Sequence, residues 1–274
     1  VRLLILSLIV AAVPSAHADQ PYHVKFTFST KELVGDLDGP RGDVKKASET
    51  PFSDWYSPAM QRRFTTWGPS SRQFDRPPGL NGKPAEFLRQ RVIATALRYV
   101  GYHYQHHHLP DWDPPQDWPY KSSPLGRQSK GMDCSNFTAW VYNLALGLKP
   151  TGETREQSAL TEVPGPGAGH TTKVERIELP ATYADFPRVL KTGDLLYIKS
   201  RSRDEISHVV LWVGPIGEAP GNVPLILDST GEGHKDSAGV EIPDGVQLRP
   251  FTERSWYAQS ASHALRLIPD GVGK

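Results

Sequence analysis

From Ala85 onward, two stretches with a helical period come first in this chain, and five with strand character follow them. That order constrains the fold more than any other feature of the sequence. From Ala85 to Val100, the residues Phe87, Leu88, Val92, Ala96, Leu97 and Val100 recur on one helical face, with Gly101 as terminator. From about Ser135 to Leu146, Phe137, Trp140, Val141, Leu144, Ala145 and Leu148 mark a second face, and Gly147 ends the run. The strand candidates are Asp194–Lys199, Ile206–Val213, Val223–Leu227, Val240–Ile242 and His263–Ile268. Helices first and strands afterwards predict an α+β domain built on an antiparallel sheet.

The remaining segments are less regular. Residues 19 to 85 hold one strand candidate, Tyr22–Phe28, and then a stretch rich in Gly, Pro and Asp, too little for a core of their own. Trp55, Tyr56, Phe64 and Trp67 are therefore expected to pack on the main domain, residues 86–274, as part of an N-terminal extension. An independent carbohydrate- or peptide-binding module is the alternative. Residues 102–130 read as an irregular Pro-rich stretch, and residues 149–190, with Pro164-Gly165-Pro166-Gly167, read as a long connection without regular structure.

Arg2, the apolar run Leu3–Val13 and Pro14-Ser15-Ala16-His17-Ala18 have the parts of a secretory signal, cut after Ala18. The run is shorter than the roughly 20 apolar residues a lasting membrane span needs, and no later segment approaches that length, so no stable membrane insertion is expected. The location implied is periplasmic or extracellular. The chain carries 31 Lys and Arg against 30 Asp and Glu, and removing residues 1–18 takes away Arg2 alone, so the two signs balance. That balance, with no basic run interleaved with aromatics, argues against a nucleic-acid partner. Oligomeric state is not legible.

The chain has one cysteine, Cys134, at the start of the second helical run. A sulfur there faces unpaired backbone N–H groups and the positive end of the helix dipole, which favour the thiolate that attacks carbonyls. A buried structural cysteine is the alternative. A nucleophile needs a base, and His208 is an imidazole inside the otherwise apolar Ile206–Val213. If Gly214–Asn222 is a hairpin loop, symmetric pairing sets Val213 against Val223 and His208 against Asp228, a carboxylate on the same face that would orient the ring. His234 is the fallback for that third position. Asp133 opposes negative charge on the neighbouring sulfur, so its expected place is the helix N-cap, or, with Ser135, a cleft that holds a cationic amine.

Asp133-Cys134-Ser135-Asn136-Phe137, Lys191-Thr192-Gly193-Asp194-Leu195-Leu196-Tyr197 and Ile206-Ser207-His208-Val209, in that order, resemble the NlpC/p60 family of bacterial cell-wall cysteine peptidases. The resemblance covers roughly residues 86 to 270. It implies a papain-like α+β fold, in which a helix carrying the Cys packs on an antiparallel sheet carrying the His. By the same resemblance Cys134 is the nucleophile and His208 the base, while Tyr104, Asp133 and Ser135 hold the substrate's free N-terminal amine. The implied reaction is hydrolysis of a peptidoglycan stem peptide, commonly between D-glutamate and the diamino acid, without a cofactor. Three departures bear on substrate recognition. Asn136 replaces the usual glycine, Asp228 stands where a histidine is more common, and Gln105-His106-His107-His108 follows Tyr104 in place of paired glycines. An amidase or acyltransferase of the same fold, and a non-catalytic wall-binding module, are the alternatives.

His103, His106, His107 and His108, with Asp111 and Asp113, invite a zinc reading. Consecutive histidines cannot all face one ion, and Pro110, Pro114 and Pro115 suggest a fixed loop instead, so no metal site is assigned. Trp112 and Trp118 fit either core packing or stacking on a sugar.

Overall fold

The computed structural model describes residues 21–38, 54, 57–64, 73–102, 104, 132–167, 169–237 and 239–270. The signal segment, the histidine tract with Asp111 and Asp113, and the side chains of Trp55, Tyr56, Phe64, Trp67, Trp112 and Trp118 lie outside the described residues.

In chain order come β1 (His23–Val24), α1 (Thr30–Val34), α2 (Pro58–Phe64), α3 (Ala85–Leu97), α4 (Cys134–Leu146) and α5 (Thr154–Ser158). Then follow β2 (Glu162–Pro164), β3 (Thr171–Lys173), β4 (Glu175–Glu178), α6 (Phe186–Val189), β5 (Leu195–Lys199), β6 (Ile206–Trp212), β7 (Gly217–Glu218) and β8 (Leu225–Thr230). The chain closes with β9 (His234–Lys235), β10 (Glu241–Ile242), β11 (Gly245–Pro250), α7 (Trp256–Gln259) and β12 (Ala261–Arg266). The central sheet has six strands in the order β11-β8-β6-β5-β12-β4, with every neighbouring pair antiparallel.

Alternation along these strands feeds two cores. Leu195 and Tyr197 of β5, Val209 and Leu211 of β6, Leu225 and Leu227 of β8, and Leu265 of β12 face the helices, where they meet Val92, Phe137, Val141 and Ala145. Their neighbours Leu196, Ile198, Val210, Trp212, Ile226 and Ala264 point the other way and pack with Phe186, Leu190, Phe251 and Tyr257. A sheet buried on both faces explains why β5 and β6 read as nearly unbroken apolar runs. The Lys191–Asp194 turn ahead of β5 is structural: Asp194 accepts the Lys191 N–H at 2.8 Å and a two-point contact from Arg266 at 2.7 and 3.0 Å.

Several sequence expectations need correcting. The stretch 149–190 holds α5, β2, β3, β4 and α6, and β4 is an edge strand of the main sheet. Short elements of three to five residues carry too little periodicity to register as pattern. Tyr22–Phe28 forms only the two-residue β1, paired with β7 rather than with the main sheet. It leads into α1, whose start is a capping box between Ser29 and Glu32. The strand β11 was missed, although Val246 and Leu248 alternate with Gln247 and Arg249.

Helix α3 is buried from Phe87 to Ala96, including three polar residues: the N-terminal segment covers Gln90 and Arg91, while Arg89 donates to Ile268 O and pairs with Asp270. The Arg91 guanidinium meets Asp36 at 2.6 and 2.7 Å and Leu33 O at 2.5 Å, while its Nε donates to Ala145 O at 2.8 Å. Leu33, Val34, Leu37 and Tyr22 belong to the same apolar cluster as α3 and α4.

Candidate active site

Cys134 is the first residue of α4, which begins where Asp133 takes an extended backbone and its Oδ1 accepts the Asn136 N–H at 2.9 Å. Asp133 is thus an N-cap, placed so because a short carboxylate satisfies an N–H that has no helical acceptor. The Ser229 hydroxyl, next to Asp228 on β8, donates to Met132 O at 2.5 Å and ties the start of α4 to that strand. Behind the thiol, Ser135 Oγ donates to Gly152 O at 2.5 Å and accepts from Thr154 Oγ1 at 3.1 Å, while Thr154 Oγ1 lies 3.9 Å from Cys134 Sγ. Fully buried Gln157 donates to Ser135 O and Thr151 O, and its carbonyl oxygen accepts from Thr138 and Tyr197. It joins α4, α5 and β5 beneath the thiol.

His208 enters from β6 at an irregularity. Ile198 opposes His208 but Lys199 opposes Ile206, so Ser207 is the extra residue of a bulge, a device that re-aims side chains beside sites. The neighbouring register corrects the hairpin expectation. Leu211 faces Leu227, Trp212 faces Ile226 and Val213 N donates to Leu225 O, so the strands sit two residues away from the symmetric pairing. The loop holds β7 and two short helical turns, which take up the difference. A shift of two leaves every side chain on its original face, so Asp228 becomes a diagonal neighbour of His208 rather than its direct partner. The ring still reaches it: His208 Nε2 lies 2.8 Å from Asp228 Oδ1.

Asp228 has no solvent exposure and is satisfied on both oxygens. Oδ2 accepts from the Tyr257 hydroxyl at 2.6 Å and lies 3.4 Å from Nε of Arg249, itself fully buried. That Arg249 contact is an ion pair without hydrogen-bond geometry, whereas Nη2 of Arg249 donates to Pro243 O at 2.7 Å. Burial pushes the Asp228 carboxyl up, but His208 first, then Arg249 and the Tyr257 hydroxyl, outweigh it and hold it below its usual value. Burial pulls His208 down, and the Asp228 and Cys134 charges, with the hydrogen bond to Asp228, overcome that and hold the imidazole well above its ordinary value. With Nε2 committed to Asp228, Nδ1 is the ring nitrogen left for the thiol. His234 does not touch His208; its Nδ1 lies 3.2 Å from Nη1 of Arg249, behind the carboxylate.

A cleft of about 730 Å³ opens beside this group, lined on one side by Tyr104 and the turn Thr230–His234, and elsewhere by Ser200, Arg201, Ser207 and Ser255–Tyr257. Cys134, 5% exposed, is not among its lining residues. Tyr104 packs against Gly231, and its hydroxyl is pushed above its usual range by burial first and then by Asp133, Cys134 and Asp228. The structure therefore gathers Tyr104, Asp133, Cys134, His208 and Asp228. Ser135 is different, being 2% exposed with its hydroxyl turned to Gly152 and Thr154.

Sequence reasoning missed Tyr257, Arg249 and Gln157. Arg249 had a signal in the alternation of β11; Tyr257 and Gln157 had none, since their partners lie 29 and 22 residues away. Among the described residues no group of three or more His, Cys, Asp or Glu side chains is placed to hold a metal ion. None of their helices is long and apolar enough to cross a membrane.

The NlpC/P60 family model matches residues 118–260, just over half of the chain, a span that contains Cys134, His208 and Asp228 but not Tyr104. Similar solved structures include the following two. An NlpC/P60 family protein from Bacillus cereus is 18% identical, with 51% of this chain and 32% of that one covered and a TM-score of 0.31. The NlpC/p60 domain of the peptidoglycan hydrolase SagA is 20% identical, with 65% and 97% covered and a TM-score of 0.32. The chain thus spans about a third of the Bacillus cereus protein's length. No curated protein matches it. With an antiparallel sheet carrying the histidine, a helix starting at the cysteine, and a family match over both, the chain belongs to the NlpC/P60 family and has its papain-like α+β fold.

Proposed function

We infer that this protein is an exported cysteine peptidase that hydrolyses peptidoglycan stem peptides, with the bond between D-glutamate and the diamino acid as the expected target. The observation that supports it most is the buried His208–Asp228 pair, 2.8 Å apart, whose electrostatics include the thiol at the start of α4. Cys134 is the nucleophile. Its sulfur adds to the amide carbonyl, and the oxyanion is met by the Cys134 backbone N–H, at a helix position with no intrahelical acceptor. His208, whose raised basicity keeps a proton on the ring, delivers that proton to the departing amine and then takes one from the water that cleaves the thioester. Asp228 orients the ring throughout. Tyr104 and Asp133 hold the substrate's N-terminal amine, Asp133 through Oδ2, since its three described bonds all fall on Oδ1. Ser135 supports that wall through its bonds to Gly152 and Thr154. Residues 1–18, as a secretory signal, would deliver the enzyme to this substrate.

The test is digestion of peptidoglycan and of defined stem peptides by purified protein, with fragments read by mass spectrometry. Peptide fragments from the wild type, and none from Cys134→Ala with binding retained, support the reading. Release of free sugars or acyl-exchange products in place of peptide fragments would overturn it.

A further inference from the structure

Thr154, the first residue of α5, stands beside the reacting sulfur with a hydroxyl that has two acceptors in reach and one hydrogen to give. Its Oγ1 lies 3.1 Å from Ser135 Oγ and 3.9 Å from Cys134 Sγ. Ser135 sends its own hydrogen to Gly152 O at 2.5 Å, so its oxygen is left to accept from Thr154. The placement is fixed from three directions: Gln157 of α5 donates to Ser135 O and Thr151 O, Asn136 lies over Gly152, and Arg155 pairs with Glu205 in the turn ahead of β6. The titratable groups around the sulfur divide by sign. His208 on β6 supports a negative sulfur, Asp133 beside it and Asp228 on β8 oppose one, and the phenols of Tyr104 and of Tyr197 on β5 lie within reach of its charge. Thr154 adds a neutral donor to that set.

We propose that Thr154 is a catalytic residue of the Cys134 reaction, whose hydroxyl turns from Ser135 to Sγ when the sulfur ionises and donates to the thiolate. A neutral thiol has a hydrogen of its own to give to Thr154 Oγ1, and the Thr154 hydrogen then stays on Ser135. In the thiolate that hydrogen has gone to His208, and rotation about the Thr154 Cβ–Oγ1 bond aims the O–H at the sulfur. Ser135 keeps its bond to Gly152 O throughout. A hydrogen bond to an ionised partner is about twice as strong as one between neutral groups, so the turn gains more than the Ser135 bond it gives up. On the peptidase reading the bond acts twice in each cycle. Before acylation it holds the thiolate that adds to the carbonyl. In deacylation water adds to the thioester carbon and passes a proton to His208, the carbon–sulfur bond breaks, and its electron pair stays on Sγ, where the Thr154 O–H meets it. Thr154 itself transfers no proton.

The inference rests on Cys134 as the nucleophile, and alkylation by iodoacetamide reads the sulfur without any peptide substrate. Losing a bond that raises the thiolate fraction about tenfold costs that factor where the thiol is mostly protonated, and returns about threefold in nucleophilicity at a Brønsted coefficient of about 0.45. Thr154→Val keeps the shape of the side chain. It should react about threefold more slowly than the wild type on the acid limb and about threefold faster on the alkaline plateau, so the two curves of rate against pH cross. Thr154→Ala, which makes no demand on packing, should cross in the same way, and Thr154→Ser should follow the wild type. A threonine that only packs α5 on α4 would change the rate by one factor at every pH. Curves for Thr154→Val and Thr154→Ala that coincide with the wild type or run parallel to it, or a Thr154→Ser curve that follows theirs, overturn the proposal. Cleavage of a defined stem peptide by the wild type is measured alongside. If no peptide is cleaved and the curves still cross, the hydrolytic reading fails and the bond from Thr154 to the sulfur stands. If peptide is cleaved and the curves do not cross, the peptidase stands and the role of Thr154 falls.

Discussion

Between His208 on one oxygen and Arg249 and Tyr257 on the other, the buried Asp228 carboxylate is held ionised by three partners. Removing one cation should therefore show in the acid limb of the activity profile. Arg249→Met takes away a charge that lowers the Asp228 carboxyl, so the acid limb of kcat/KM should move to higher pH, whereas a merely structural arginine would lower activity equally at all pH values. Tyr257→Phe removes one bond to a buried charge, and chemical denaturation should read a loss of about 1.5–3 kcal/mol. The His208–Asp228 pair also links stability to pH. The histidine is raised above 6.5, so its contribution is full below that value and fades as pH rises through the higher folded value. The aspartate is lowered below 3.8, so its contribution is full above that value and fades as pH falls through the lower folded one. The stability gap between the wild type and His208→Gln, measured in urea, should be widest between pH 3.8 and 6.5 and should narrow on the alkaline side. A gap that widens with alkali would contradict this account.

At the scale of elements, the start of α4 depends on a close approach between Asn136 and Gly152. The Asn136 side chain bonds Asp133 Oδ1 at 2.8 Å and lies over Gly152, where a Cβ would sit 2.2 Å from its Oδ1. Gly152→Ala should cost about 1–3 kcal/mol by overpacking. Asn136→Ala should relieve most of that cost, so the double-mutant cycle returns a coupling well above 0.5 kcal/mol. Additive effects would mean that the two residues do not crowd each other. The same scale shows what pattern can and cannot reveal. Helix α4 was legible to within a residue because its apolar face repeats over 13 residues and Gly147, at φ +73°, supplies the left-handed stop. The five-residue α5 was not legible, yet it carries Gln157, which buttresses the first turn of α4.

For the molecule as a whole, the segment 21–38 and the main domain share one apolar cluster, with Arg91 joining α1, α3 and α4 at its centre. Leu33, without solvent exposure, should cost about 2–5 kcal/mol on truncation to Ala, with unfolding still in a single transition by two probes. A small cost with a separate early transition would show the N-terminal segment to be an independent unit. The sequence by itself determined the element types of the long segments, the antiparallel class of the sheet, and the common face of His208 and Asp228. Each depends on local periodicity, and a strand's period of two survives the two-residue shift that the β6–β8 loop introduced. Only the tertiary structure decided which side chains complete the group: Tyr257 and Arg249 on Asp228, Gln157 on the Ser135 carbonyl next to Cys134, and Trp256 beside His208. Those contacts are set by how separate loops and strands are brought together, and no spacing within a single segment encodes them.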